Sequence, residues 1–135
     1  MSSKNPLITA DNLIDLNKRE LQKWGSGQHR IHNEHSLRYA PDYPFLAFYG
    51  EAQFPSPYDK AAALMWIVIK DHIFENGNNR TGFAAAQELL QKLGEARFFV
   101  PKCQVNRVCR ALERGDLSNA DLAHWLHGHS NRSPL

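Results

Sequence analysis

Apolar residues in this chain recur at helical intervals, in blocks separated by polar or proline-rich stretches. Thr9 is placed as a helix N-cap before Leu13, Leu16, Leu21 and Trp24, and Gly25-Ser26-Gly27 follows. The pattern predicts a first helix over residues 10–24, amphipathic and lying against a core. Residues 28–57 lose the period. They contain Pro41, Pro44, Pro55 and Pro57, and prolines at that density break helices and long strands. Loops, a short helical turn near Glu34 to Tyr39 and at most a small hairpin are expected there. Tyr39, Tyr43, Phe45, Phe48, Tyr49 and Phe54 would anchor this segment to the core.

From Tyr58 to Ile69 the pattern changes again. The run Ala61 to Ile69 is apolar without interruption, so the helix has no polar face and should be buried on every side, the central strut of the fold. Thr81 to Leu93 reads as the next helix, ended by Gly94, with Ala84, Ala85 and Ala86 permitting close helix–helix approach. Pro101 opens a helix in which Val105, Val108, Cys109 and Leu112 stand at i, i+3, i+4 and i+7, and Gly115 closes it. Ser118 with Asp121 forms a capping-box pattern before a last helix carrying Leu122, Trp125 and Leu126. Residues 131–135 should fray. The expectation is an all-α bundle with at most a small β-hairpin before residue 57.

Composition narrows this little. The 135 residues suit one domain spanning 1–135, and 42% hydrophobic with 22% charged residues is ordinary for a globular chain. A net charge of +2 gives no footprint for nucleic acid. The polar start Met1-Ser2-Ser3-Lys4-Asn5-Pro6 is unlike a signal peptide. The longest apolar run is well short of the ~20 residues a membrane helix needs. Cys103 and Cys109 have the wrong spacing for a zinc or redox pair. They read as two small core residues in a reduced, cytoplasmic protein.

Candidate chemistry concentrates between the two most apolar helices, in His72-Ile73-Phe74-Glu75-Asn76-Gly77-Asn78-Asn79-Arg80-Thr81-Gly82. A polar loop between rigid elements is where sites tend to sit. Imidazole is the usual general base for a hydroxyl nucleophile, which gives His72 a role. Phe74, apolar in a polar loop, should anchor it. Gly77 allows close backbone approach. Asn78, Asn79 and Arg80 lead to the N-terminus of the next helix, where free N–H groups and the helix dipole favour an anion. Arg80 adds a planar, permanently charged fork for phosphate oxygens. Base, amide nest and guanidinium together suggest phosphoryl or nucleotidyl transfer. Two histidine series, 29/32/35 and 124/127/129, have spacings that can hold a metal, but they lack acidic or cysteine partners and read as solvated polar stretches.

The central stretch resembles the signature of the Fic/Doc (Fido) family, His-x-Phe-x-(Asp/Glu)-(Gly/Ala)-Asn-x-Arg. His72, Phe74, Gly77, Asn78 and Arg80 match it, and Arg80-Thr81 is similar to the Doc branch. The resemblance implies ATP and Mg²⁺ as cofactors and His72 as catalytic base. Gly77, Asn78 and Asn79 would form the phosphate-binding anion hole, with Arg80 as charged partner. The segment before residue 57 would include a flap that aligns a target peptide. Fic proteins transfer AMP to protein hydroxyls; Doc phosphorylates elongation factor Tu and is neutralised by an antitoxin. The chain departs from the signature at Asn76, where the family has its acidic Mg²⁺ ligand. An amide oxygen is the weaker magnesium ligand, and Glu75 is the adjacent substitute. Asn79 stands where Fic enzymes have Gly and Doc has Lys, so the transferred group, phosphate or AMP, stays open. No Ser or Thr is followed four residues later by Glu, so the inhibitory motif of many Fic proteins is absent and an antitoxin in trans is expected.

Overall fold

The fold follows from one sequence property, the uninterrupted apolar run at the centre of the chain. A computed structural model describes residues 6–25, 27–95 and 99–130. Among them it places six helices: α1 (Ala10–Trp24), α2 (Glu34–Tyr39), α3 (Pro57–Lys70), α4 (Asn78–Lys92), α5 (Lys102–Glu113) and α6 (Asn119–Ser130). A two-stranded antiparallel hairpin, β1 (Ala47–Phe48) and β2 (Glu51–Ala52), lies between α2 and α3. Ala47 pairs with Ala52 and Phe48 with Glu51. Its turn is Tyr49-Gly50, both with positive φ (52° and 80°), which suits the twist of a tight hairpin. The mostly helical architecture is the one the Fic/Doc resemblance implies. No described helix is long and apolar enough to cross a membrane.

Side-chain caps at Thr9 and Ser118, as expected, and at Ser56 open three of the helices. Thr9 accepts from the Asn12 N–H while the Asn12 side chain accepts from the Thr9 N–H, and Gly25 ends α1 in the left-handed region at φ 64°. Ser56 with Asp59 caps α3 in the same reciprocal way, with Pro57 at the first helical position. Ser118 with Asp121 caps α6.

Helix α3 is the strut. Ala61 to Met65 and Ile67 to Ile69 are buried, and Trp66 is half-buried. Two apolar clusters meet on α3 and α4. One joins Leu13 and Leu16 of α1, Leu37 of α2, Leu64 and Val68 of α3 and Leu89 of α4. The other joins Met65 and Ile69 with Leu90, and with Val105, Val108 and Leu112 of α5 and Leu122 and Leu126 of α6. Helices α3 and α4 approach closely at Gly82, where an added Cβ would come within 3.2 Å of the Met65 carbonyl oxygen and 3.1 Å of Ile69 Cγ1. Glycine, beside the alanines, sets that spacing.

Several expectations are corrected. Helix α4 begins at Asn78, not Thr81, because Gly77 itself serves as N-cap in the left-handed conformation. Cys109 is buried but Cys103 is exposed, since Cys103 falls on the solvent side of α5. Of the proline-rich segment's aromatics, Phe54 is buried and Tyr43 and Phe45 pack on the core, whereas Tyr39, Phe48 and Tyr49 are exposed. His29 is not simply solvated, and His127 stacks on Tyr58 with ring centroids 4.6 Å apart. The expected fraying of 131–135 lies outside the described residues.

Candidate active site

Asp71 is the C-cap of α3, and the next residue, His72, has φ 47°. For a residue with a Cβ that left-handed turn costs about 1–2 kcal/mol. Its neighbours explain why it persists. The Asp71 carboxylate accepts from Ser36 Oγ at 2.7 Å, and the Asp71 carbonyl accepts from Asn33 Nδ2. Ile73 is fully buried, and its carbonyl accepts from the N–H groups of His32 and Asn33. With both flanking residues pinned, the left-handed turn turns His72 out of the core, and its exposed side chain lines a cleft. Strain of this kind is typical of functional positions.

The loop that follows is held by the segment before α2. Ile31 and Phe74 form an antiparallel bridge, and the Glu75 N–H donates to the Arg30 carbonyl. Phe74 is buried, the anchor its apolar character implied. Asn78 closes the loop from the other side: its Oδ1 accepts from the Phe74 N–H at 3.0 Å and its Nδ2 donates to the Phe74 carbonyl at 2.6 Å. The Asn78 side chain is therefore spent on the loop. What Asn78 can offer a ligand is its backbone N–H.

That N–H belongs to the first turn of α4. Gly77 caps it at φ 76° with no side-chain hydrogen bond, and the first intrahelical bond runs from the Thr81 N–H to the Gly77 carbonyl. The N–H groups of Asn78, Asn79 and Arg80 have no intrahelical acceptor. Gly77 to Arg80 line the cleft together with His72 and Asn76, and with Asn106 and Glu113 of α5; its volume is about 360 Å³. A helix N-terminus with uncapped amides and an arginine opening on one cleft is suited to anions. The Arg80 guanidinium lies 4.4 Å above the Trp24 ring, while its Nε is buried without a hydrogen-bond partner.

The sequence-predicted residues thus converge, with one exception. Glu75 is exposed and does not line the cleft. Asn76 does line it, but its Nδ2 donates to the Gln28 carbonyl at 3.1 Å.

Sequence reasoning missed the residue that ties the loop to the bundle. Asn17 of α1 is fully buried. Its Nδ2 donates to the Asn76 carbonyl at 2.8 Å and to Thr81 Oγ1 at 3.0 Å, and its Oδ1 meets His29 Nδ1 at 2.8 Å. Since Oδ1 only accepts, Nδ1 of His29 carries the hydrogen. Burial, and then the charge of Lys18, hold the His29 pKa below its ordinary value. The signal was present: Asn17 stands four residues after Leu13 and four before Leu21, a polar residue in an apolar stripe. Asn106 and Glu113 gave no such signal, because only the packing of α5 brings them to the cleft.

No curated protein matches the chain. A model of the Fic/DOC family matches residues 7–90, a segment that runs from just before the cap of α1 nearly to the end of α4 and includes His72 and the whole amide nest. The match covers more than half of the sequence, and the chain belongs to the Fic/DOC family.

Proposed function

We propose that this protein transfers phosphate from ATP to a hydroxyl on a translation factor similar to elongation factor Tu, as a Doc-like toxin held in check by a separate antitoxin. The carrying observation is that an exposed His72 and the uncapped first turn of α4 open on one cleft. Family membership supports a Fido-type transferase domain. The target, the phosphate rather than AMP, and the cytoplasmic setting belong to the proposal.

In this reading the amides of Asn78, Asn79 and Arg80 and the Arg80 guanidinium hold the nucleotide phosphates, with Gly77 leaving room for them. His72 takes the proton of the incoming hydroxyl as its oxygen bonds to phosphorus. The bond to the leaving group breaks, releasing ADP if the γ-phosphorus is attacked or pyrophosphate if the α-phosphorus is. Most of the rate comes from positioning and from fixed donors around the phosphorus. The side-chain oxygens of Asn106 and Glu113, residues of the cleft wall, are hard donors that suit Mg²⁺, which when bound neutralises phosphate charge. The β1–β2 hairpin, exposed with Tyr49 at its tip, is the proposed flap on which a target segment adds as a further strand.

Asn76 favours a second reading, in which the domain is catalytically weak and serves as a binding or regulatory module. Mass spectrometry of lysate incubated with ATP and the protein separates the outcomes. A gain of about 80 Da on a hydroxyl residue means phosphate and about 329 Da means AMP. Absence of both, with nucleotide still bound, supports the module.

A further inference from the structure

The family's acidic position is neutral in this chain, and the structure shows what the amide does instead. Asn76 Nδ2 donates to the Gln28 carbonyl. A Cβ added to Gly27 would lie 2.9 Å from Asn76 Cγ, so the 27–28 backbone closes on this side chain. A carboxylate at position 76 has no proton to donate to that carbonyl. The asparagine therefore belongs to the local structure.

An acidic residue of α5, Glu113, does line the cleft. Asn106, Cys109 and Glu113 stand at i, i+3 and i+7 on α5, one stripe of the helix. Cys109 contacts the Asn79 carbonyl with its Sγ at 3.9 Å, which sets this stripe against the first turn of α4. Asn106 and Glu113 line the cleft on either side of that contact. The far end of α5 is tied to the helix that leads into His72, because Lys70 Nζ donates to the Glu113 carbonyl at 3.5 Å. The Glu113 carboxylate makes no hydrogen bond or ion pair with a described residue. Arg80, in the first turn of α4, lines the same cleft. The first turn of α4 thus brings free amides and the Arg80 guanidinium to the cleft for an anion, and α5 brings one free carboxylate. A polyphosphate drawn to that turn meets a like charge on α5 unless a divalent cation lies between them. Mg²⁺ needs only one or two carboxylates when phosphates complete its shell.

We propose that Glu113 of α5, with the Asn106 amide beside it, is the protein ligand for the divalent cation of a bound nucleotide, replacing residue 76 in that role. The inference rests on the nucleotide-transfer reading above. It moves the metal-binding side chain from the signature loop to a helix beyond the matched family segment.

The test is binding of a non-hydrolysable ATP analogue, adenylyl imidodiphosphate, with Mn²⁺ as a paramagnetic stand-in, by calorimetry and electron paramagnetic resonance. Glu113→Gln should weaken Mn²⁺ binding to the protein–nucleotide complex on the order of tenfold or more, as expected for loss of the charged ligand. Metal-free nucleotide should bind the variant as well as the wild type or better, because a like charge has gone. Asn76→Ala should leave Mn²⁺ affinity nearly unchanged. Glu113 is exposed, so the variant should fold, and unchanged thermal unfolding would verify it. If Glu113→Gln retains wild-type Mn²⁺ affinity while the wild type binds nucleotide, Glu113 is not the ligand and only this inference fails. If the wild type binds no nucleotide with or without metal, the transfer reading fails as well.

Discussion

Asn17 of α1 donates its side-chain amide to the Asn76 carbonyl at 2.8 Å, across 59 residues of sequence. Through this bond and its partners at Thr81 and His29, the first helix holds both the loop before the amide nest and the turn that bears it. Asn17→Ala should destabilise the fold by about 2–3 kcal/mol, because buried partners lose their hydrogen bonds. It should also weaken nucleotide binding. Urea unfolding and calorimetry check both effects. Asn17→Asp should be more damaging, since a carboxylate cannot donate to Asn76 or Thr81.

His72 can be removed without unfolding the protein. Its side chain is exposed, and asparagine tolerates the left-handed backbone it adopts. His72→Asn should retain the melting temperature and nucleotide affinity while transfer falls by about 10²- to 10⁴-fold, the usual contribution of a general base. Single-turnover kinetics with labelled ATP gives the ratio.

Gly77 is constrained twice over, by φ 76° and by Leu21 Cδ2, which an added Cβ would approach to 2.9 Å. Gly77→Ala should cost about 1–3 kcal/mol and impair nucleotide binding more than an equally destabilising change in α6. Chemical denaturation beside a nucleotide titration separates the two losses.

The His29 pKa lies below its ordinary value of 6.5 in the folded protein. The folded state therefore binds fewer protons than the unfolded chain in the window below 6.5, and stability falls as the pH drops through it. The stabilisation is fully present above 6.5. Melting temperatures from pH 7.5 to 5.5 should fall more steeply for the wild type than for His29→Gln.

Burial, then the nearby charge of Glu113, push the Cys109 thiol up to about 12. Cys103 is exposed. Alkylation of the native protein at pH 8 should modify Cys103 alone, and Cys109 only after denaturation. Peptide mapping reads the two sites separately.

Local rules carried most of the fold. Helix limits at Thr9 and Ser118 were legible because capping is a contact between near neighbours in sequence, and the buried state of α3 was legible because an all-apolar helix has one stable surrounding. The start of α4 was misplaced because asparagines at 78 and 79 resemble a turn, and only Gly77 in the left-handed conformation turns them into a first helical turn. The loop residues His72, Gly77 and Arg80 could be named from a contiguous signature. Asn17, Asn106 and Glu113 could not, because they reach the cleft through packing between distant helices, which no spacing along the chain encodes. The exposed Cys103 shows a different limit: residue type assigned it to the core, although it stands off the stripe formed by Val105, Val108, Cys109 and Leu112.

Trp24 closes α1 with the Arg80 guanidinium 4.4 Å from its ring and the Lys102 ammonium also 4.4 Å from it. It is exposed, whereas Trp66 and Trp125 are partly covered. Indole emission responds to charge close to the ring, so the protein contains its own optical gauge. Any shift of the guanidinium toward an arriving phosphate would register as a change in colour or intensity from that one fluorophore, with no label attached.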